Sequence, residues 1–332
     1  MQRIFRMSEE QNFESRIDLS ELRQKIDAVH QEIAKLIVGQ KKMIDLMISA
    51  VLCNGHIMIE GVPGIAKTLA AKLLARCISA DFSRVQFTPD LMPSDVLGTS
   101  VFNMKSSEFV FNRGPIFANL VLIDEINRAP AKTQSALFEV MEEKQVTIDG
   151  TTYLMDAPFI VMATQNPVEH EGTYKLPEAQ LDRFLFKIEI GYPSLEEEIE
   201  ILTRFNNKAL DEAIKSVNPV LSKNDIIAFQ KLTRQVHCES HLLEYIAQIV
   251  QQTRLHNAFY LGGSPRASLA ILNGSKGWAA IHGRDFITPD DIKQIVYPAL
   301  CHRLLLTADK EVEGARIGNL INQILDKTEV PR

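Results

Sequence analysis

Apolar positions recur at helical spacing from Leu19 to Leu36, opened by Ser20, and again from Lys41 to Leu52; each stretch predicts an amphipathic helix. The period then shortens. His56-Ile-Met-Ile59 is a brief apolar run, followed by a Gly/Pro-rich turn and a helical stretch from Lys67 to about Ile78. Arg84 to Phe87, Leu120 to Ile123, Phe159 to Met162 and Phe186 to Ile190 are further short apolar or β-rich runs. Helical stretches, Ala131 to Glu142 and Pro177 to Leu185 among them, fall between several of these. Short buried strands alternating with helices predict a parallel α/β sheet.

Two segments interrupt that rhythm. Val101 to Asn112 predicts a hairpin turning at Lys105-Ser-Ser107, and Gln145 to Leu154 alternates about Asp149-Gly150, a type I′ turn signal. Both read as polar hairpins with no core to fill, and so as projections toward a partner. Beyond Tyr192-Pro193 the strand signals stop. Ser194-Leu-Glu-Glu197 is a capping box. Ser222 and Ser240 are further helix starts, Pro265 opens another helix, and Thr288-Pro289 sets an N-cap before a proline at N1. The expected division is therefore 1–192, an N-terminal helix plus an α/β core, and 193–332, a helical domain.

Composition narrows the class. The chain has 332 residues, 45% of them hydrophobic, and a net charge of −6, enough for about two domains with a sizeable core. Its densest basic points are pairs such as Lys41-Lys42, so nothing in the charge demands a nucleic-acid partner. The four cysteines are scattered with no C-x-x-C spacing, and His237-Cys-Glu-Ser-His241 lacks the acid that a zinc-protease helix carries after its first histidine. Residues 1–10 have no apolar stretch after their arginines, and no run approaches ~18 apolar residues. The expectation is a cytoplasmic protein with no membrane span.

Candidate chemistry begins after the first short strand. Glu60-Gly-Val-Pro-Gly-Ile-Ala-Lys-Thr68 sits between strand and helix, the context of a P-loop. Its backbone N–H groups (Gly61, Val62, Pro63, Gly64, Ile65, Ala66, with Leu69 just inside the helix) would surround a polyphosphate, proline contributing shape alone. Lys67 would reach the β- and γ-phosphates and Thr68 would hold Mg²⁺. Ala66 stands where the general motif has glycine, and its methyl is comfortable only at negative φ. Farther on, Leu120-Val-Leu-Ile-Asp-Glu125 ends in two carboxylates, at the strand end where open α/β sheets bind ligands. Asp124 would hold the metal and Glu125 would deprotonate the attacking water. Two acids at a strand end are common by chance; downstream of a P-loop they form a set. Asn166 closes a third strand, where it either meets the γ-phosphate or simply starts a turn with Pro167. Arg183 and Arg266 each read alone as surface residues, or as arginines that stabilise phosphoryl transfer.

Taken together, these segments resemble the AAA+ superfamily, and within it the MoxR family. The resemblance runs from Leu36-Ile-Val-Gly-Gln40 through Gly61 to Thr68, Gly114 to Asn119, Ile123 to Pro130 and Lys132-Thr-Gln-Ser135. It continues through Met141 to Gly150, Ala163 to Gly172, Gln180-Leu-Asp-Arg-Phe184 and Gly263-Ser-Pro-Arg-Ala267. The family's loop also resembles G-x-P-G-x-A-K-T, which accommodates Ala66. The resemblance implies that Val38 and Gly39 lie against adenine, that Asn166 is sensor 1, Arg183 a finger reaching a neighbour's ATP, and Arg266 sensor 2. It implies a homo-oligomer, a hexameric ring with ATP between protomers, and inserts near 89–112 and 145–156 that face a pore or client. It further implies chaperone-like work on a protein client, often with a von Willebrand factor A domain partner. Two other readings carry their own signatures: a DNA-linked motor or loader would show DNA-stimulated turnover, and a nucleotide-gated scaffold would bind ATP with negligible hydrolysis.

Overall fold

The computed structural model describes residues 17–105, 107–167, 174, 176–206 and 210–331. The N-terminal ten residues, the centre of the Lys105–Ser107 turn and the 168–172 part of the resembling segments lie outside the described residues. Helices α1 (Ser20–Ala34) and α2 (Lys41–Leu52) precede a five-stranded sheet. Its strands are β1 (His56–Glu60), β2 (Phe82–Gln86), β3 (Leu120–Asp124), β4 (Ile160–Gln165) and β5 (Phe184–Glu189). They lie side by side in the order β5-β1-β4-β3-β2, every neighbouring pair parallel. Leu120 to Asp124 are all buried, as a central strand covered on both faces requires. Register brings the strand ends level: Glu60 pairs with Gln165, and Gln86 with Asp124. The loops that follow β1, β3 and β4 therefore leave the sheet at one edge.

Helices α3 (Lys67–Cys77) and α4 (Ala131–Glu143) follow β1 and β3. The C-terminal half carries α5 (Leu195–Phe205), α6 (Lys223–Gln235), α7 (Ser240–Leu255), α8 (Pro265–Ile281), α9 (Pro289–Leu300) and α10 (Ile317–Lys327). Side-chain hydroxyls of Ser194, Ser222 and Thr288 each accept a backbone N–H three residues on, closing three capping boxes. One hydrophobic cluster joins α1, α2 and β1 to α8 and α9, with Ser49 of α2 donating to the Gly274 carbonyl of α8 at 3.3 Å. Among the described residues, no helix is long and apolar enough to cross a membrane.

Several local expectations change. The helix expected over 177–185 is a single turn, Glu178–Leu181, and β5 begins at Phe184. Phe184 and Phe186 are fully buried in the sheet; burial worth roughly 2 kcal/mol per side chain outweighs the tenths that separate helix propensities. Strand structure does not stop at Pro193: Leu221–Ser222 pairs with Ile78–Ser79, and Phe259–Leu261 with Leu305–Leu306. Ser240 is the first residue of α7 and Glu239 its N-cap, with no side-chain cap. The Asp149-Gly150 turn has both φ values positive, as type I′ requires. The other hairpin, Gly98–Asn103 with Glu108–Arg113, is longer than expected and not polar. It exposes Val101, Phe102, Met104, Phe109 and Val110, with the rings of Phe102 and Phe109 packed edge to face at 5.3 Å.

Candidate active site

Three of the sheet's loops enclose a cavity of about 540 Å³, lined by Pro63, Gly64, Ala66, Lys67, Thr68 and Leu69 from the first, Asp124 and Glu125 from the second, and Thr164, Gln165 and Asn166 from the third. Gly64, at φ +87°, provides the left-handed turn, and a Cβ there would meet only open space. Ala66 follows at φ +64°. Its φ is positive, contrary to what its methyl prefers, at a cost of roughly 1–2 kcal/mol. That strain turns the chain directly into α3, so the helix N-terminus points into the cavity.

Lys67 folds its ammonium onto the loop. It donates to the carbonyls of Gly61, Val62 (3.3 Å) and Gln165 (3.2 Å), tying the P-loop to the end of β4. Burial lowers its pKa, an effect opposed by the carboxylates of Glu125, Glu60 and Asp124.

Asp124 is buried and fully engaged. Its Oδ1 accepts from Thr68 Oγ1 at 2.9 Å and from Thr164 Oγ1 at 3.2 Å, while Oδ2 accepts from Arg84 Nε at 2.6 Å. A hydroxyl and a carboxylate in contact, open to a cavity with room for water and phosphate oxygens, are the donor set that suits Mg²⁺. Next to it, Glu125 takes φ +56° and its N–H donates to Thr164 Oγ1 at 3.0 Å. Its side chain is half-exposed and bonded to Arg128 at 2.8 Å. The two adjacent acids thus differ: one is buried and held by three donors, the other is half-exposed and held by one.

An apolar cavity of about 650 Å³ adjoins the loop, lined by Leu36, Ile37, Val38, Ile65, Tyr192, Pro193, Ile201, Leu202 and Phe205, with Pro63, Gly64, Ala66 and Leu69 shared. Val38 is among the lining residues. Gly39 is not: it lines a neighbouring cleft with His30, Asp45 and Arg204. At φ +64° Gly39 faces α5, and a Cβ would fall 1.8 Å from Glu197 Oε1.

Arg183 and Arg266 lie outside both cavities. They meet each other's partner instead. Arg266 Nη2 donates to Glu142 Oε1 at 2.6 Å, and Arg183 Nε lies 3.5 Å from Glu142 Oε2, its guanidinium 6.0 Å from the Phe138 ring centre. Sequence reasoning missed Glu142, and also Arg84, Thr164 and the apolar residues of α5. Arg84 reads merely as a strand residue and Thr164 as part of an apolar run. Only strand order puts them beside Asp124.

A parallel sheet with a P-loop after β1 and adjacent carboxylates at the end of β3 defines a P-loop ATPase. The family model described as "ATPase family associated with various cellular activities (AAA)" matches residues 56–186, and the one described as "AAA lid domain" matches 251–324. The chain is 46% identical over 301 residues to the uncharacterized protein YeaC of Bacillus subtilis, covering 91% of this chain and 93% of that one. It is 43% identical over 310 residues to the chaperone MoxR1 of Mycobacterium tuberculosis, covering 91% and 81%. A crystal structure of a Cytophaga hutchinsonii protein superposes with a TM-score of 0.86 at 42% identity, covering 95% and 97%. The chain belongs to the MoxR family of AAA+ ATPases.

Proposed function

We propose that the chain hydrolyses ATP as a homo-oligomeric ring, a hexamer, and uses the cycle to remodel or mature a protein client. The carrying observation is a separation. One cavity gathers Lys67, Thr68, Asp124, Glu125 and Asn166, while Arg183 and Arg266 stand together elsewhere on Glu142. A cavity that holds the P-loop and the carboxylates but neither Arg183 nor Arg266, with those two arginines grouped away from it, supports completion by a neighbour. In this reading the backbone from Gly61 to Ala66 and the α3 N-terminus bind the phosphates, and Lys67 exchanges carbonyl partners for β- and γ-phosphate oxygens. Val38, Leu69 and the α5 face take the adenine.

Thr68 and Asp124 hold Mg²⁺, which when bound neutralises charge that develops on the transferred phosphoryl group. Glu125 leaves Arg128 to accept a proton from the attacking water, and Asn166 orients that water or the γ-phosphate. A neighbour's Arg183, with Arg266 beside it, stabilises the transition state. The domain boundary lies at Pro193, the work is cytoplasmic, and the partner class that fits is a protein, a von Willebrand factor A domain protein among them. DNA is not required.

The test is ATP turnover across a protein concentration series, with size analysis, with and without Mg²⁺ and DNA. Turnover that rises as an ATP-dependent hexamer forms, needs Mg²⁺ and ignores DNA is the expected result. Turnover by a monomer at unchanged specific rate would refute the ring, and DNA-dependent turnover would refute the client class.

A further inference from the structure

Arg303, just past the end of α9, is one of the few buried charges among the described residues, its side chain only 4% exposed. Its guanidinium has five N–H donors, and the structure supplies five acceptors. Nε donates to Asp182 Oδ1 at 2.6 Å. Nη2 donates to the carbonyls of Asp182 at 3.0 Å and Phe184 at 2.7 Å. Nη1 donates to the carbonyls of Leu185 at 3.3 Å and Ala299. Four of these acceptors lie on residues 182, 184 and 185 and bracket Arg183, whose own carbonyl takes no part. The neighbouring His302, held neutral by burial and the adjacent Arg303 charge, meets the Phe184 carbonyl as well, Nε2 at 3.1 Å. Asp182 Oδ2 in turn sits 3.5 Å from the hydroxyl of Ser264, the residue that caps α8 two positions before Arg266.

We infer that Arg303 is the positioning residue of Arg183: it clamps the chain on both sides of that residue, so that the finger is mounted on a fixed backbone at the junction of core and helical domain. The inference rests on Arg183 acting on a neighbour's ATP. A rigid mount matters because misplacement of about 1 Å can cost on the order of 10²-fold in rate. Lysine keeps the charge but has three donors and no planar fork, so it cannot hold the same set of carbonyls.

The test is complementation between inactive chains. Arg303→Lys should fold, bind ATP as the unaltered chain does, and turn over about 10²-fold more slowly. Its own cavity is intact and its finger is not. Glu125→Gln has the opposite defect. Mixed rings of the two should regain turnover, because a Glu125→Gln chain lends a sound finger to a sound cavity. Arg183→Ala mixed with Glu125→Gln should behave alike, and Arg303→Lys mixed with Arg183→Ala should stay inactive. If Arg303→Lys fails to fold, Asp182→Asn replaces it, since that change leaves the arginine and its carbonyl partners in place.

Normal turnover by Arg303→Lys would overturn the inference. So would failure of its mixture with Glu125→Gln where the Arg183→Ala mixture succeeds, since the defect would then lie in its own cavity. Failure of both mixtures would overturn the trans-acting finger and this inference with it.

Discussion

The nucleotide cavity and the arginine node around Glu142 contrast in how they are built. The cavity is assembled from the ends of three neighbouring parallel strands, so one register brings Glu60, Asp124 and Gln165, and the loops that follow them, to the same end of the sheet. The node draws Glu142 from the end of α4, Arg183 from the turn before β5, Arg266 from α8 and Arg303 from beyond α9. Its geometry depends on how the helical domain packs on the core. The ends of neighbouring strands are stiff, and their groups are held by partners on adjacent strands and loops, as Asp124 is by Thr68, Thr164 and Arg84. A junction between two halves can shift, and here Arg303 ties it with five hydrogen bonds. The cavity offers the loop chemistry that suits ATP, and the node ties the helical domain to the core through Glu142 and Asp182.

Four changes would break or sharpen that contrast. Arg183→Ala should lower turnover about 10³–10⁵-fold while leaving ATP affinity of the isolated chain unchanged; equal loss of both, in paired binding and turnover assays, would place Arg183 in its own chain's site. Glu125→Gln should retain ATP and slow hydrolysis about 10²–10⁴-fold, read by single-turnover kinetics, and an unaltered rate would remove Glu125 as the base.

Acid should weaken the fold at two histidines distant from the cavity. Burial holds His56 at about 4 and His302 well below its usual value. Each contributes stability that is present above about 6.5, the unfolded pKa, and lost as the pH falls through the folded value. For His56 the loss between pH 6.5 and 4 is on the order of 3 kcal/mol, and His56→Gln should flatten that part of the denaturation profile. The smallest effect belongs to the P-loop: Ala66→Gly should relieve the left-handed alanine and raise stability by up to about 1 kcal/mol. A lower denaturation midpoint would show that glycine's gain of unfolded-state freedom outweighs the relief.

Legibility followed the same divide. Strand ends, P-loop and capping boxes depend on neighbours within a few residues, so Gly61–Thr68, Asp124-Glu125 and Ser194–Glu197 could be read directly. The family resemblance implies Val38 and Gly39 against the adenine, and only the fold shows that Gly39 packs against Glu197. The helix expected over 177–185 gave way to β5 because Phe184 and Phe186 gain more in the sheet than in a helix.

What the sequence determined by itself was the sheet, the loop chemistry and the kinship, all carried by short-range spacing and by apolar runs of fixed period. Tertiary structure alone decided that Arg84 and Thr164 hold Asp124, that Glu142 holds two arginines, and that Arg303 brackets one of them. The reason is physical. A buried charge must find its partners wherever packing brings them, and sequence separation places no limit on that search.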